Sequence, residues 1–248
     1  SSRAPQPNEL LSNGMHQGTS TYEVGDINLK PEHSFNINWG NSWSNQSKTF
    51  SADLNLYSNS IRNFIYMQPK PDQPVQVISG FLLLNVYQQN DVRLQGIDFT
   101  GKWSPAKQFD WQLNYSMLRA RNVDSSDWLI RMPVDRIANI FSYNFRDGKK
   151  LHAAYISAEY NYTFKQTRTP DETYVKQDYK EAPDAYGLVN VDAGTTIQMD
   201  HFPVTLSIGI RNLFNTTYRD YLNSMRYFAD ETGRNFQFRI KIPVQSKK

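Results

Sequence analysis

The sequence predicts an all-β protein, and more narrowly a transmembrane antiparallel β-barrel. Three observations carry the prediction. Apolar and polar residues alternate with a period of two, many alternating runs approach the 9 to 11 tilted residues that cross a bilayer, and short turns alternate with long loops between runs. Because successive side chains of a strand leave opposite faces of the sheet, each run offers one apolar and one polar face.

The last third of the chain shows the alternation most clearly. Apolar residues keep one parity in three runs, at 189–199, 204–210 and 236–244. The join between the first two runs, 200–203, is short, whereas the join between the second and third, 212–234, is long. Turns at one end and loops at the other are typical of outer-membrane barrels.

Six earlier runs follow the same pattern and bring the predicted total to nine strands. They lie at about 35–43, 50–64, 81–103, 109–117, 136–145 and 154–164. The segments between them that lack sustained alternation and carry proline, glycine or charge are predicted loops. These loops, all expected at the exterior end of the barrel, are 1–31, 66–80, 121–134, 165–184 and 212–234.

Composition agrees with a barrel and excludes several other classes. Hydrophobic content is only 39%, but a barrel with a polar lumen would have such an average. A soluble β-sandwich or propeller is the competing fold, although its strands are usually nearer five or six residues. No apolar run is long enough for a transmembrane helix.

The chemistry-bearing residues do not predict a catalytic site. The chain has no cysteine, which excludes disulfides and thiolate metal sites, and its four histidines stand apart from one another. We therefore expect no enzymatic activity and no cofactor. The net charge of +3 is scattered, so no nucleic-acid partner is expected either.

Four stretches resemble one known family. The segment 210–236, which opens with IRNLFN, resembles the closing segment of TonB-dependent outer-membrane receptors. RAP and EL within 3–10, followed by GDINLKPE at 25–32, resemble two signature elements of that family, and 132–136 is similar to the start of one of its late strands. These matches occur in the order expected for the family.

The resemblance implies an active transporter that takes up a scarce nutrient, a ferric siderophore, haem or another metal complex. It implies a barrel of about 22 strands around an N-terminal plug, energised by the inner-membrane TonB complex. Residues 1–248 would be the C-terminal part of that barrel, embedded in outer-membrane lipid. The chain opens without a signal peptide and has only about nine of these strands, so we expect a fragment, from loop proteolysis, a split subunit or a partial sequence, whose missing half is a separate chain. It also departs from the family by ending without the usual terminal aromatic.

The resemblance also singles out a candidate metal ligand. His16 lies between the two signature elements, where a histidine of haem-type and zinc-type receptors can contact the ligand. Imidazole is a good ligand for either metal, and the alternative is an ordinary exposed loop histidine. Tyr22 and Glu23 could add oxygen ligands, although Glu23 could instead bond neighbouring backbone.

Aromatic and basic loop residues are further candidates for ligand binding. Tyr66, Tyr174, Tyr179 and Tyr227 could form a ligand-stacking surface, or could serve loop packing or an interface belt.

Two loop arginines could meet an anionic complex. Arg131 and Arg226 are those residues, and the alternative for both is solvation or pairing with acids such as Asp127 or Asp230.

Two other function classes stay open at this point. A passive porin-like channel would need an unplugged lumen, and a plug with a coupling segment in a companion polypeptide would argue against it. A barrel subunit that docks a surface lipoprotein in a larger envelope assembly would co-purify with that lipoprotein.

Overall fold

The computed structural model describes residues 1–78, 80–170, 182–199 and 202–243. Strands dominate it. In chain order the elements are β1 (Ser2–Arg3), α1 (Pro7–Leu11), β2 (Asn13–His16), β3 (Thr21–Val24), β4 (Glu32–Ser44), β5 (Phe50–Val77), β6 (Gly80–Ala106), β7 (Phe109–Asn122), β8 (Arg136–Asn144), β9 (Leu151–Thr163), β10 (Tyr186–Gln198), β11 (Pro203–Arg211), a 3₁₀ helix (Ser224–Tyr227) and β12 (Asn235–Lys241).

The nine predicted strands are confirmed as β4 to β12. Each pairs antiparallel with the next along the chain, so together they form one meander. Short turns join β4 to β5, β6 to β7, β8 to β9 and β10 to β11 at one end of the sheet, the short-turn end. The opposite end is the long-loop end. Across the described residues the sheet is open, with β1 and β12 at its edges.

The strand register divides the sheet into two chemically different faces. One cross-strand row joins Trp39, Leu56, Ile97 and Met117, each directly opposite the next. We call this side the apolar face. The neighbouring row belongs to the polar face and joins Gly40, Asn55, Asp98, Ser116, Arg136, Thr163 and Tyr186.

Aromatic rings border the apolar face at the short-turn end. Trp43 meets Phe50 edge-on at 5.3 Å between ring centroids. Trp103 meets Trp111 at 6.4 Å, and Trp111 stacks on Phe141 at 6.3 Å. Indole rings favour the level where a bilayer meets water, so this belt marks one membrane boundary.

The predicted loop at 66–80 is wrong, because β5 and β6 continue through it as a hairpin. The prolines that suggested a loop are accommodated in two ways. Pro69 stands opposite Asn85 within the paired stretch, and the other two prolines lie between Lys70 and Val75, where the register shifts. A proline lacks the N–H of a ladder hydrogen bond but is tolerated at bulges and edges.

The predicted loop at 1–31 is also wrong as a single irregular segment, since it contains β1, α1, β2 and β3. The β2–β3 hairpin adds β3 parallel to β6, with Thr21 opposite Leu83 and Val24 opposite Val86. This pairing supports the upper part of β5 and β6, residues 61–77 and 80–93, which we call the hairpin extension. Local alternation is too short here to distinguish strands from loop.

A small hydrophobic core lies at the long-loop end. It consists of Ile61, Val92, Ala120 and Leu129, with Phe64, Leu94 and Met132 packed around it. Leu129 comes from the segment 121–134, which folds back so that its N–H donates to the carbonyl of Ala120 at 3.0 Å. No helix in the described part of the chain is long and apolar enough to cross a membrane.

Candidate ligand-binding wall

The two signature elements near the start of the chain meet at one arginine. Arg3 donates to Glu32 from Nε (2.9 Å) and Nη2 (2.7 Å), and to Glu9 from Nη1 (3.0 Å). Burial alone would raise the pKa of Glu32, but the hydrogen bonds from Arg3 and from the Ile65 N–H lower it below its ordinary value. The same contacts raise the pKa of Arg3, with the Glu32 hydrogen bond the largest cause.

A glycine lets the two elements approach each other. A Cβ on Gly25 would lie 2.6 Å from the carbonyl carbon of Leu10, closer than real atoms pack. In this close approach the Gly25 N–H donates to the Ser12 carbonyl at 2.7 Å, and the Asp26 N–H donates to the Glu9 carbonyl at 2.9 Å. The two elements therefore form one unit, from which the β2–β3 hairpin projects.

The hairpin places two of the three predicted ligands, His16 and Glu23, on one side and Tyr22 on the other. His16 is exposed at the end of β2, with Nδ1 3.0 Å from Thr19 Oγ1. The register places Gly14 opposite Glu23, so Glu23 shares a side of the hairpin with His16, while Tyr22 lies opposite Met15 on the other side. Within the described ranges, no three His, Asp or Glu side chains cluster as a metal site would require.

Tyr66 lies in a polar cavity of about 270 Å³ beside the hairpin extension. Its hydroxyl accepts hydrogen bonds from Gln88 Nε2 (2.5 Å) and Asn90 Nδ2 (2.9 Å), and its ring stacks on Phe64 at 6.2 Å. Aromatic, amide and carboxylate side chains share the cavity. Its lining includes Tyr66, Gln68, Gln88, Asn122, Asp124 and Trp128. A surface of this kind suits a ligand with both ring faces and polar edges.

The structure places Arg226 inside its own loop. It is buried, with the guanidinium 4.6 Å from the Tyr221 ring and 4.8 Å from the Tyr227 ring. Tyr227, a predicted stacking residue, thus packs on Arg226 in the same cluster. Asp230 pairs with Arg219 at 2.6 Å.

The other loop candidates are spread over the long-loop end. Arg131 is partly buried and has a left-handed backbone φ of 56°, a conformation that non-glycine residues seldom adopt. Tyr174 and Tyr179 lie outside the described residues. The structure therefore does not gather the sequence-predicted residues at one point.

Sequence reasoning missed a second cavity, of about 580 Å³, on the polar face. Here the segment 212–234 folds against the wall: Arg136 Nη2 donates to Asp220 Oδ2 at 3.0 Å, and the Tyr186 hydroxyl donates to the same oxygen at 2.8 Å. The Tyr186 and Tyr218 rings lie 4.5 Å apart. The only signal in the sequence was the parity of Arg136 and Tyr186, which predicts the polar face but no partner.

The sequence matches a described family over most of its length, and its fold matches solved structures. Residues 1–213 match the family described as TonB dependent receptor-like, beta-barrel. The copper transporter OprC is 16% identical, with a TM-score of 0.73, and the match covers 97% of this chain and 35% of OprC. The ferric enterobactin receptor PfeA from Pseudomonas aeruginosa is 19% identical, with a TM-score of 0.61 and coverage of 95% and 36%.

A third solved structure gives the same result. The ferric preacinetobactin receptor BauA from Acinetobacter baumannii is 15% identical, with a TM-score of 0.59 and coverage of 93% and 32%. At such identities the likeness establishes the fold alone, and the chain spans about a third of each of these proteins. With its sequence match and its membrane-type sheet, the chain belongs to the TonB-dependent receptors, a family of transport receptors in the outer membrane.

Proposed function

We propose that the whole protein imports a scarce nutrient across the outer membrane, with a ferric siderophore, haem or another metal complex as its substrate. Residues 1–248 would contribute the C-terminal part of its barrel. Family membership supports import, and the solved structures that share the fold include proteins named as a copper transporter and as ferric siderophore receptors.

The observation that carries the proposal is the two-faced sheet with cavities on its polar side. The apolar face suits lipid, which leaves the polar face as the wall of a lumen. The Tyr66 cavity lies at the long-loop end of the sheet, and the cavity at Arg136 and Tyr186 lies on the polar face itself. A ligand entering from the exterior would meet the Tyr66 cavity first.

The partners follow from the same proposal. A plug and the remaining strands, supplied by a separate chain, would close the lumen, and the plug would contact the inner-membrane TonB complex. Outer-membrane lipid would cover the apolar face. A surface lipoprotein that docks on the long loops is a further proposed partner.

Uptake with and without the motor tests the proposal. Cells whose only receptor is this protein are supplied with radiolabelled iron as a ferric siderophore or as haem, with the inner-membrane motor intact or deleted. We expect accumulation of at least one substrate only with the motor intact. Equal uptake in both strains would indicate a passive channel instead.

A pair of tyrosine variants locates the site. Tyr66→Phe removes the hydroxyl that accepts from Gln88 and Asn90, whereas Tyr143→Phe removes one from the apolar face, where Tyr143 is 45% exposed. Tyr66→Phe is expected to weaken ligand binding by about fivefold, the value of one hydrogen bond, and Tyr143→Phe is expected not to. Equal binding by both variants would exclude the Tyr66 hydroxyl from the ligand site.

A further inference from the structure

The apolar face is bordered by different residues at its two ends. Two positions beyond Ile97 in β6, the same face carries Gln95 and then Arg93. Beyond Met117 in β7 it carries Arg119 and then Arg121. The aromatic belt borders one end of the face, and a basic cluster borders the other.

The register makes this cluster electrostatically unfavourable without an anion. Arg93 stands directly opposite Arg121, and like charges in directly opposite positions destabilise a sheet. In the described part of the chain, no acidic side chain forms an ion pair with either of them. Arg119 is held by Asp135, at 2.6 Å from Nη1, and Asp135 also binds Arg168 at 2.8 Å.

The cluster borders a cavity with an aromatic wall. The Arg121 guanidinium lies 4.4 Å from the centroid of the Trp128 ring, and Trp128 bridges to the Arg121 backbone. The cavity, of about 510 Å³, is lined by cationic, amide, hydroxyl and indole groups and by no carboxylate of the described residues. The lining of this cavity includes Arg93, Gln95, Arg119, Arg121, Ser126 and Trp128.

The height of the cluster fits a lipid headgroup. At about 3.4 Å per residue, Arg119 lies about 7 Å and Arg121 about 14 Å along the strand from Met117, the last apolar residue of its row. A strand tilt of about 40° turns these distances into heights of about 5 Å and about 10 Å. The headgroup layer begins where the hydrocarbon core ends and is roughly 5 to 7 Å deep, so Arg119 falls within it and the long side chain of Arg121 extends to it from its outer edge. Guanidinium groups bind phosphate through two parallel hydrogen bonds, and indole rings favour the same level.

We infer that Arg93 and Arg121, with Arg119 and Trp128 beside them, bind the phosphate groups of a lipid headgroup in the leaflet at the long-loop end. The site lies on the lipid-facing side of the sheet, and it shares Asn122 and Trp128 with the lining of the Tyr66 cavity. Its occupant neutralises the Arg93–Arg121 pair and fixes the vertical position of β6 and β7 in the membrane.

Lipid retention by the intact receptor tests this site. The detergent-purified protein is mixed with lipid A, which carries phosphate on a glycolipid headgroup, or with its dephosphorylated form, and bound lipid is counted by native mass spectrometry. We expect phosphorylated lipid to bind more tightly to wild type. Arg93→Gln with Arg121→Gln should weaken that binding by about twenty-fivefold, since each basic side chain near an anionic surface contributes roughly fivefold.

Two controls separate this site from general charge attraction. Arg146→Gln with Lys149→Gln removes two exposed cations from a turn at the short-turn end and should leave lipid binding unchanged. Arg93→Gln alone leaves the Arg121–Trp128 contact in place and should weaken binding by about fivefold. Equal losses in the turn variant, or wild-type binding by the double variant, would overturn the assignment.

Free phosphate provides the remaining arm. Inorganic phosphate at the same phosphate concentration is expected not to displace the lipid, because it lacks the acyl chains that lie along the apolar face. Complete displacement would instead assign the cavity to a soluble phosphate and would reject a lipid site.

Discussion

The part of β4 to β12 outside the hairpin extension crosses the membrane, and we call it the wall. The hairpin extension continues β5 and β6 beyond the wall but is stabilised differently. In the wall, large apolar side chains stay uncovered by protein, as at Phe35 (67% exposed) and Phe236 (72% exposed). All hydrophobic residues that are buried in the described ranges lie at the long-loop end. They are Ile61, Ile65, Leu83, Val92, Ala120, Leu129, Ile130, Val134 and Tyr221. The wall therefore depends on its ladder and on lipid, and the extension on side-chain packing.

The change from one region to the other takes place within a single strand. The β5–β6 register shifts between Ile61 and Phe64, where Asn63 has a φ of 56° and its N–H donates to Asp91 Oδ1. Bulges of this kind bend and twist a strand and are common at barrel rims. One strand can therefore face lipid before a bulge and belong to a packed layer outside the membrane after it.

The largest expected loss of stability comes from an arginine on the apolar face, and the same side chain on the polar face is its control. Leu54→Arg puts a charge in the middle of the apolar face, where Leu54 lies opposite Phe99. We expect a loss of about 3 kcal/mol in unfolding free energy, the cost of a cation at the bilayer midplane. Asp53→Arg places the same side chain on the polar face and should cost less than about 1 kcal/mol. Urea unfolding of the receptor in lipid vesicles measures both.

Similar losses for Leu54→Arg and Asp53→Arg would contradict the assignment of faces. The result would mean that the apolar face packs against protein or water rather than lipid.

A matched pair of valines tests the packing of the extension. Val92 is 1% exposed in the small core, and Val123 in the neighbouring loop is 50% exposed. Val92→Ala should cost about 2 kcal/mol through lost burial and the cavity it leaves, and Val123→Ala less than about 0.5 kcal/mol. Hydrogen exchange should show the Val92→Ala loss in the extension, with the wall strands unchanged. Uniform loss along β5 would mean that the two regions unfold as one.

The wall could be predicted from the sequence, whereas residues 66–80 of the extension were predicted as a loop, for a physical reason. Lipid on one side and a lumen on the other impose a strict period of two, which makes strands such as β7 visible residue by residue. In the extension neighbouring residues of opposite parity, such as Gln68 and Pro69, are both buried, so the period fades. Prolines at a bulge such as that after Lys70 then indicate a loop. The candidate site is even less predictable from the sequence, because contacts such as Arg226 with Tyr221 depend on how the loop folds.

Acid should weaken the contact of Arg3 and Glu32 with the extension while leaving the wall intact. The folded-state pKa of Glu32 is lowered, so its contribution to stability is present above the ordinary carboxyl value of 4.5 and is lost as pH falls through the lower folded value. The contribution is about 1 kcal/mol, because Arg3 is 39% exposed. The amide of Ile65, which donates to Glu32, reports it by hydrogen exchange.

Two variants check the origin of this acid effect. Glu32→Gln should remove the loss of Ile65 amide protection as pH falls below 4.5, whereas Asp72→Asn, at an exposed position of the same hairpin, should preserve it. An identical pH profile in wild type and Glu32→Gln would rule out Glu32 as the group that titrates.

The smallest structural effect is expected at His16. It is exposed at the end of β2, outside both the apolar face and the small core. His16→Ala should change stability by less than about 0.5 kcal/mol, because the ring is exposed and its polar contact is with Thr19. If His16 contacts the imported metal complex, growth should fall on one of three limiting sources, haem, zinc or a ferric chelate. Thr19→Ala is the control that removes the hydroxyl beside the ring and leaves the imidazole. Unchanged growth of His16→Ala on all three sources would remove His16 from the site.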